Sequence, residues 1–183
     1  MNLRAWQKEC IEEAISRYQS GQSHFLCLAT PGAGKTLMAS RLAKQLIDND
    51  LIDLVICITP AIIVSEDFKH ELEIQLGKKL NGKLGSVGRC LTYHAMLSEI
   101  NIWDLFEDHR VFVIFDEIHH CSGNDLLNSN AWGQKIISEI QGKAKFTLAL
   151  TGTPWRSDNI PITLGQYCDK GTVHCDYSYG LTR

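Results

Sequence analysis

Charged residues interrupt every apolar run of this 183-residue chain well short of membrane-spanning length, which excludes a transmembrane helix. The opening stretch MNLRAWQKECIEEAI lacks the basic-then-apolar layout of a secretion signal, so the cytoplasm is the expected compartment, with no membrane partner. Internal repeats and low-complexity segments are missing too, leaving an ordinary globular chain of single-domain size. There is no surplus of positive charge. A formal charge of −3 and a pI near 6.1 mean that bulk electrostatics do not mark a nucleic-acid binder. The seven cysteines are scattered, odd in number and without a CxxC pair, which argues against a disulfide framework. A zinc site drawn from His119, His120 or Cys121 with Cys168, His174 and Cys175 would match no standard ligand spacing, so none is expected. Cys27 and Cys57 lie inside apolar runs and read as small core residues.

What is present is a rhythm. Hydrophobic residues make up 44% of the chain, enough for a sizeable core. Residues 3–18 place Leu3, Trp6, Cys10, Ala14, Ile15 and Tyr18 at three- and four-residue steps, an amphipathic helix ended by Gly21. Short apolar runs follow at 24–30, 53–59, 88–93, 111–115 and 146–151, with helical patterns between them at 35–47, 62–76, 94–107 and 126–140. Near-continuous apolar strands alternating with helices predict an α/β fold: a mainly parallel sheet with helices on both faces. In such sheets ligands bind beyond the carboxyl ends of the strands. The polar clusters all fall there.

LATPGAGKT follows the first run and opens a helix. A triphosphate concentrates negative charge, and a helix N-terminus offers free N–H groups at the positive end of its dipole. Pro31, Gly32, Ala33 and Gly34 form the loop, whose glycines let the backbone wrap phosphate oxygens closely. Lys35 would reach the β- and γ-phosphates, and the Thr36 hydroxyl would ligate Mg²⁺. Ala29 replaces the first glycine of the usual GxxxxGK[ST] pattern. VFVIFDEIHH then delivers two acids to the same edge. Asp116 suits Mg²⁺, and Glu117 suits orienting and deprotonating an attacking water. On the first helix, the Gln7 amide could both donate to and accept from an adenine edge.

LALTGTPWRSD (148–158) carries no obvious nucleophile at its strand end. The hydroxyls of Thr151 and Thr153 can instead exchange hydrogen-bond partners with the DEIHH segment, with Gly152 supplying freedom and Pro154 limiting the path. Residues 74–98 hold Lys78, Lys79, Lys83 and Arg89 and no acid. This run reads as a solvated loop or as a place where a polyanion is held electrostatically.

ATPGAGKT, FDEIHH and LTGTPWR, in that order, resemble motifs I, II and III of the superfamily 2 helicases and translocases, in the DExH branch. The form is similar to phage and bacterial DEAD/DEAH-box helicases and to type III restriction motor subunits. LRAWQKECI resembles the adenine-reading glutamine motif, ITPAIIVSEDF motif Ia and LTYHAM motif Ib, although Asp67 and Phe68 stand where the family often has Gln-Trp. The resemblance implies a RecA-like P-loop NTPase lobe over residues 1–158, with 159–183 leading out towards a second RecA-like lobe. It implies ATP and Mg²⁺ as ligands and DNA as the track, with RNA not separated from it. Residue by residue, it makes Lys35 and Thr36 the phosphate and metal contacts, Asp116 the metal residue and Glu117 the base. His119, Thr151 and Thr153 become the coupling residues. Thr59, Pro60 and Thr92 become strand contacts, with Lys78, Lys79, Lys83 and Arg89 adding charge. Motifs IV to VI do not follow Arg156, so the chain reads as the first lobe of a larger motor, nearly inactive alone. A restriction-system translocase is the near alternative. A P-loop phosphotransferase would not need DEIHH, and a nucleotide-sensing scaffold would not need all four charged or hydroxyl residues intact.

Overall fold

Four of the five expected strands are apolar at nearly every position and can be satisfied only by cover on both faces. The computed structural model, which describes residues 2–123, 126–127, 129–154, 156–167 and 173–180, provides it. The chain runs α1 (Ala5–Gln19), β1 (His24–Ala29), α2 (Lys35–Asp48), β2 (Leu54–Thr59), α3 (Ile62–Leu76) and β3 (Gly88–Thr92). It continues through α4 (Tyr93–Ser98), α5 (Leu105–Asp108), β4 (Val111–Phe115), α6 (Ala131–Glu139) and β5 (Phe146–Thr151). The two-residue strands β6 (Gln166–Tyr167) and β7 (Val173–His174) form a small antiparallel pair, and β8 (Tyr177–Tyr179) returns to the main sheet.

The main sheet has the order β3-β2-β4-β5-β1-β8, and every pairing in it is parallel. Strand alternation sends Phe25, Cys27 and Ala29 with Phe112, Ile114, Leu148 and Leu150 to a core shared with α1, α2 and α3. Leu26, Ile56, Ile58, Val113 and Phe115 face the opposite core, under α4 to α6. Cys27 and Cys57 are fully buried, as their apolar neighbours suggested. Tyr18 ties α1 across the sheet: its buried hydroxyl donates to the Thr147 carbonyl at 2.7 Å. No helix among the described residues is long and apolar enough to cross a membrane.

The expected helix at 94–107 is broken. Glu99 ends α4 in an extended conformation, its carbonyl accepts from the Trp103 indole at 2.8 Å, and its carboxylate pairs with Arg89. A 3-10 turn (Asn101–Asp104) then leads into α5, which lets Trp103 and Phe106 reach the core. The helix expected at 126–140 starts later, because Asn130 caps it by accepting from the Gly133 N–H at 2.8 Å. Residues 177–179, in the segment expected to lead out of the lobe, form an edge strand of the sheet itself.

Candidate functional site

The carboxyl end of β1 runs directly into the phosphate loop. Gly34 caps α2 with φ +96, and no side chain closes the helix, so its first N–H groups stay available for an anion. A side chain at 34 would meet the Gln7 amide at 2.7 Å. The loop is braced from behind by α1. Gln7 Nε2 donates to the Gly34 carbonyl at 2.9 Å, and Arg4 Nη1 donates to the Ala33 carbonyl at 2.9 Å. The remaining Gln7 oxygen accepts from the Arg4 N–H at 2.8 Å, and the residue is only 1% exposed. The amide keeps one N–H and one lone pair spare, but burial means that an adenine edge reaches them only if this packing opens. Arg4 carried no signal in the sequence, because its partner is far along the chain.

Beside the loop, β4 ends in the two acids. Asp116 is held by its N–H on the Ile58 carbonyl and by the Tyr93 hydroxyl on its own carbonyl, both at 2.9 Å. Glu117 adopts a left-handed conformation (φ 49, ψ 52), which aims its carboxylate back at the loop. Lys35 Nζ meets that carboxylate at 2.9 Å and the Ala29 carbonyl at 3.3 Å. Burial and the adjacent Glu117 charge push the Asp116 carboxyl up to about 6. Burial also pushes Glu117 upward, but hydrogen bonds from His119 and Lys35 overcome it and hold that carboxyl at about 2. Glu117 is thus anionic at neutral pH and spoken for by a cation. The Thr36 hydroxyl and the Asp116 carboxylate are hard oxygen donors of the kind Mg²⁺ takes, so the residues present fit that ion. Among the described residues no group of three His, Cys, Asp or Glu side chains could hold a metal, and Cys168 lies outside them.

The shelf after β5 completes the edge. His119 Nδ1 lies 2.9 Å from Thr151 Oγ1, 3.4 Å from Thr153 Oγ1 and 3.3 Å from Glu117 Oε2. One ring nitrogen thus stands between the carboxylate and the two hydroxyls. Thr151 also donates to the Thr153 carbonyl and accepts its N–H, both at 3.0 Å. Arg156 donates to the His119 carbonyl and pairs with Asp158. Trp155 lies outside the described residues.

Family membership follows from a match over most of the chain. Residues 1–156 match the family described as type III restriction enzyme, res subunit. The chain belongs to this family. Its lobe is a superfamily 2 helicase-type RecA-like domain with the α/β P-loop NTPase fold. An uncharacterised protein of Mycobacterium tuberculosis is 34% identical over 193 residues, and one of Mycobacterium leprae 32% over 196. Each match takes in 97% of this chain, which spans 30% of either relative's length. The lobe also superimposes on the SWI2/SNF2 ATPase core of Sulfolobus solfataricus in complex with dsDNA, with a TM-score of 0.64 at 19% identity. That match takes in 84% of this chain and 32% of the other. The UvsW helicase of bacteriophage T4 gives 0.62 at 18%, across 84% and 53% of the two chains. A nuclease-deletion mutant of the type ISP restriction-modification enzyme LlaGI, in complex with a DNA substrate mimic, gives 0.61 at 14%, across 99% and 20%.

The remaining candidates divide between two edges of the lobe. Thr59 and Thr92 are register partners at the carboxyl ends of β2 and β3, on the same edge as the phosphate loop, with Pro60 beside them. The Thr92 hydroxyl caps α4, and Thr59 is buried. Lys78, Lys79 and Lys83 lie in the loop before β3, and Arg89 lies at its start, so all four sit at the amino edge. Acids just outside the apparently acid-free run neutralise two of them: Lys79 pairs with Glu73 at 3.0 Å and Arg89 with Glu99 at 2.8 Å. Sequence adjacency to Thr92 hides a strand's length of separation.

Proposed function

We propose that the lobe binds ATP with Mg²⁺ and, together with a second lobe, couples its hydrolysis to movement on or unwinding of DNA. One observation carries this reading. A continuous set of contacts joins Lys35 to Glu117, Glu117 to His119, and His119 to Thr151 and Thr153. Lys35 leaves Glu117 for the phosphates when nucleotide arrives. Glu117, released from its cation, accepts a proton from the water it orients. Thr36 and Asp116 would hold the ion, which would supply charge neutralisation at the phosphates. The change at Glu117 alters what His119 can bond, and His119 passes the choice to the Thr151–Thr153 shelf. A two-state element biased from one side by nucleotide and from the other by the strand is what coupling requires.

The reading is tested by titrating the 183-residue chain with ATP·Mg. Lys35→Ala is expected to weaken binding roughly 10- to 150-fold, the range for losing hydrogen bonds from a charged group. Equal affinity in the variant would overturn a phosphate role for Lys35 and the ATP reading with it. The family's restriction-enzyme description favours, as a second reading, a translocase that travels on duplex DNA without separating it.

The proposed track runs along Pro60 and Thr92; Thr59, expected beside them, is fully buried and its hydroxyl donates to the Ala61 and Leu91 carbonyls, so it supports the edge from beneath. Neutralising Lys78, Lys79, Lys83 and Arg89 together with glutamine is expected to leave the log–log salt slope of DNA binding unchanged, since each lost phosphate contact would flatten it by about 0.7 to 0.9. A large fall in affinity and slope would route the strand over the amino edge instead.

A further inference from the structure

β8 brings an aromatic ladder to the phosphate loop. Tyr177 and Tyr179 are two residues apart on this strand and project from the same face. Trp6 of α1 packs with both: its ring centroid is 4.8 Å from that of Tyr179 at 14°, and 6.4 Å from that of Tyr177 at 28°. Trp6 is buried, and the Tyr177 hydroxyl is tied to Glu9 at 2.9 Å. Tyr179 is the outer member, 38% exposed. It stands level with Ala29, the last residue before the loop. Its carbonyl accepts from the Thr30 N–H at 3.4 Å, and the following Gly180 lies so close to Thr30 that a Cβ would sit 2.8 Å from its hydroxyl. The strand end is thus fastened to the loop.

On the other flank the loop is walled. Glu117 contacts Lys35 there, and a Cβ on Gly152 would come within 3.2 Å of the Pro31 ring. Hydrolysis needs the attacking water in line with and opposite the leaving diphosphate. With Glu117 orienting that water, the γ-phosphate faces the β4–β5 flank and the nucleoside leaves towards α1 and β8. The open face there is aromatic.

We propose that Tyr179 is the platform on which the nucleotide base stacks, extending the Tyr177–Trp6–Tyr179 ladder by one ring. This rests on the ATP reading above and assigns the base a partner distinct from Gln7. Stacking uses the π-face and is tolerant of base identity, whereas an amide reads the edge. Tyr179 therefore contributes affinity common to both purines.

The test measures binding of ATP·Mg, GTP·Mg and magnesium tripolyphosphate, which carries phosphates without a base, by calorimetry on the 183-residue chain. Tyr179→Leu keeps apolar bulk against Trp6 and removes the π-face. It is expected to weaken ATP and GTP by the same factor, roughly 5- to 150-fold, and to leave tripolyphosphate unchanged. Tyr179→Phe is expected to bind like the parent chain. Loss of all three ligands by one common factor in Tyr179→Leu would mean a structural role and overturn the platform. So would unchanged ATP affinity, or a parent chain that binds ATP no tighter than tripolyphosphate; in these cases the phosphate reading survives. A parent chain that binds none of the three would overturn both.

Discussion

Glu117→Gln is expected to lower ATP turnover about 10²- to 10⁴-fold, the usual contribution of a positioned base, while nucleotide binding is kept or tightened. The asymmetry comes from the resting geometry. Glu117 holds Lys35 at 2.9 Å, with 10% of the Lys35 and 26% of the Glu117 side chain exposed, so incoming phosphates compete with a partly buried ion pair. A neutral amide competes less well and leaves the ammonium freer. The same pair explains why the carboxylate is a poor base at rest. Held at about 2, it has little appetite for a proton until Lys35 departs and removes one of the bonds that depress it. Single-turnover hydrolysis in a polypeptide that includes a second lobe, beside equilibrium binding, checks the prediction. Unimpaired hydrolysis would move the base elsewhere.

Gly88→Ala is expected to cost about 3–5 kcal/mol, adding left-handed strain to overpacking against backbone. Gly88 begins β3 at φ +152, and a Cβ there would lie 1.7 Å from the Val55 carbonyl oxygen and 2.7 Å from its carbon. Neither atom can swing away as a side chain could, because Val55 is in the register that joins β2 to β3. The strand must part from its neighbour or shift along it. At this chain length such a loss lowers the melting temperature by roughly 6–20 °C. Melting followed by circular dichroism decides it; a shift under about 2 °C would mean that the edge strand yields at little cost.

Much of this was legible in the linear chain. The five principal strands and the loop-to-helix transition at 34–35 are written in contiguous residues, where periodicity and glycine placement act locally. The meeting of Lys35 with Glu117 could be anticipated because both lie at the ends of apolar runs in a parallel sheet. Contacts that depend on a turn of the fold were not legible. The Arg4 brace on the loop and the Tyr179 ladder each join distant segments through polar or aromatic residues with no periodic signature. The basic run shows the opposite limit: one strand carries it to the far edge of the sheet from Thr92, its neighbour in sequence. The helix expected at 94–107 failed on a single carbonyl, that of Glu99, claimed by an indole.

The sheet order has a consequence for birth on the ribosome. β1 lies between β5 and β8, and its first residue contacts a partner 123 positions later. At ~5–20 residues per second, the segment carrying the phosphate loop waits roughly 6–25 s before its neighbour has been made. Meanwhile β2, β3 and β4 can already pair with one another. β1 and the loop after it, although made before the rest of the sheet, close last, and this exposed apolar strand is where a nascent-chain chaperone would find most to hold.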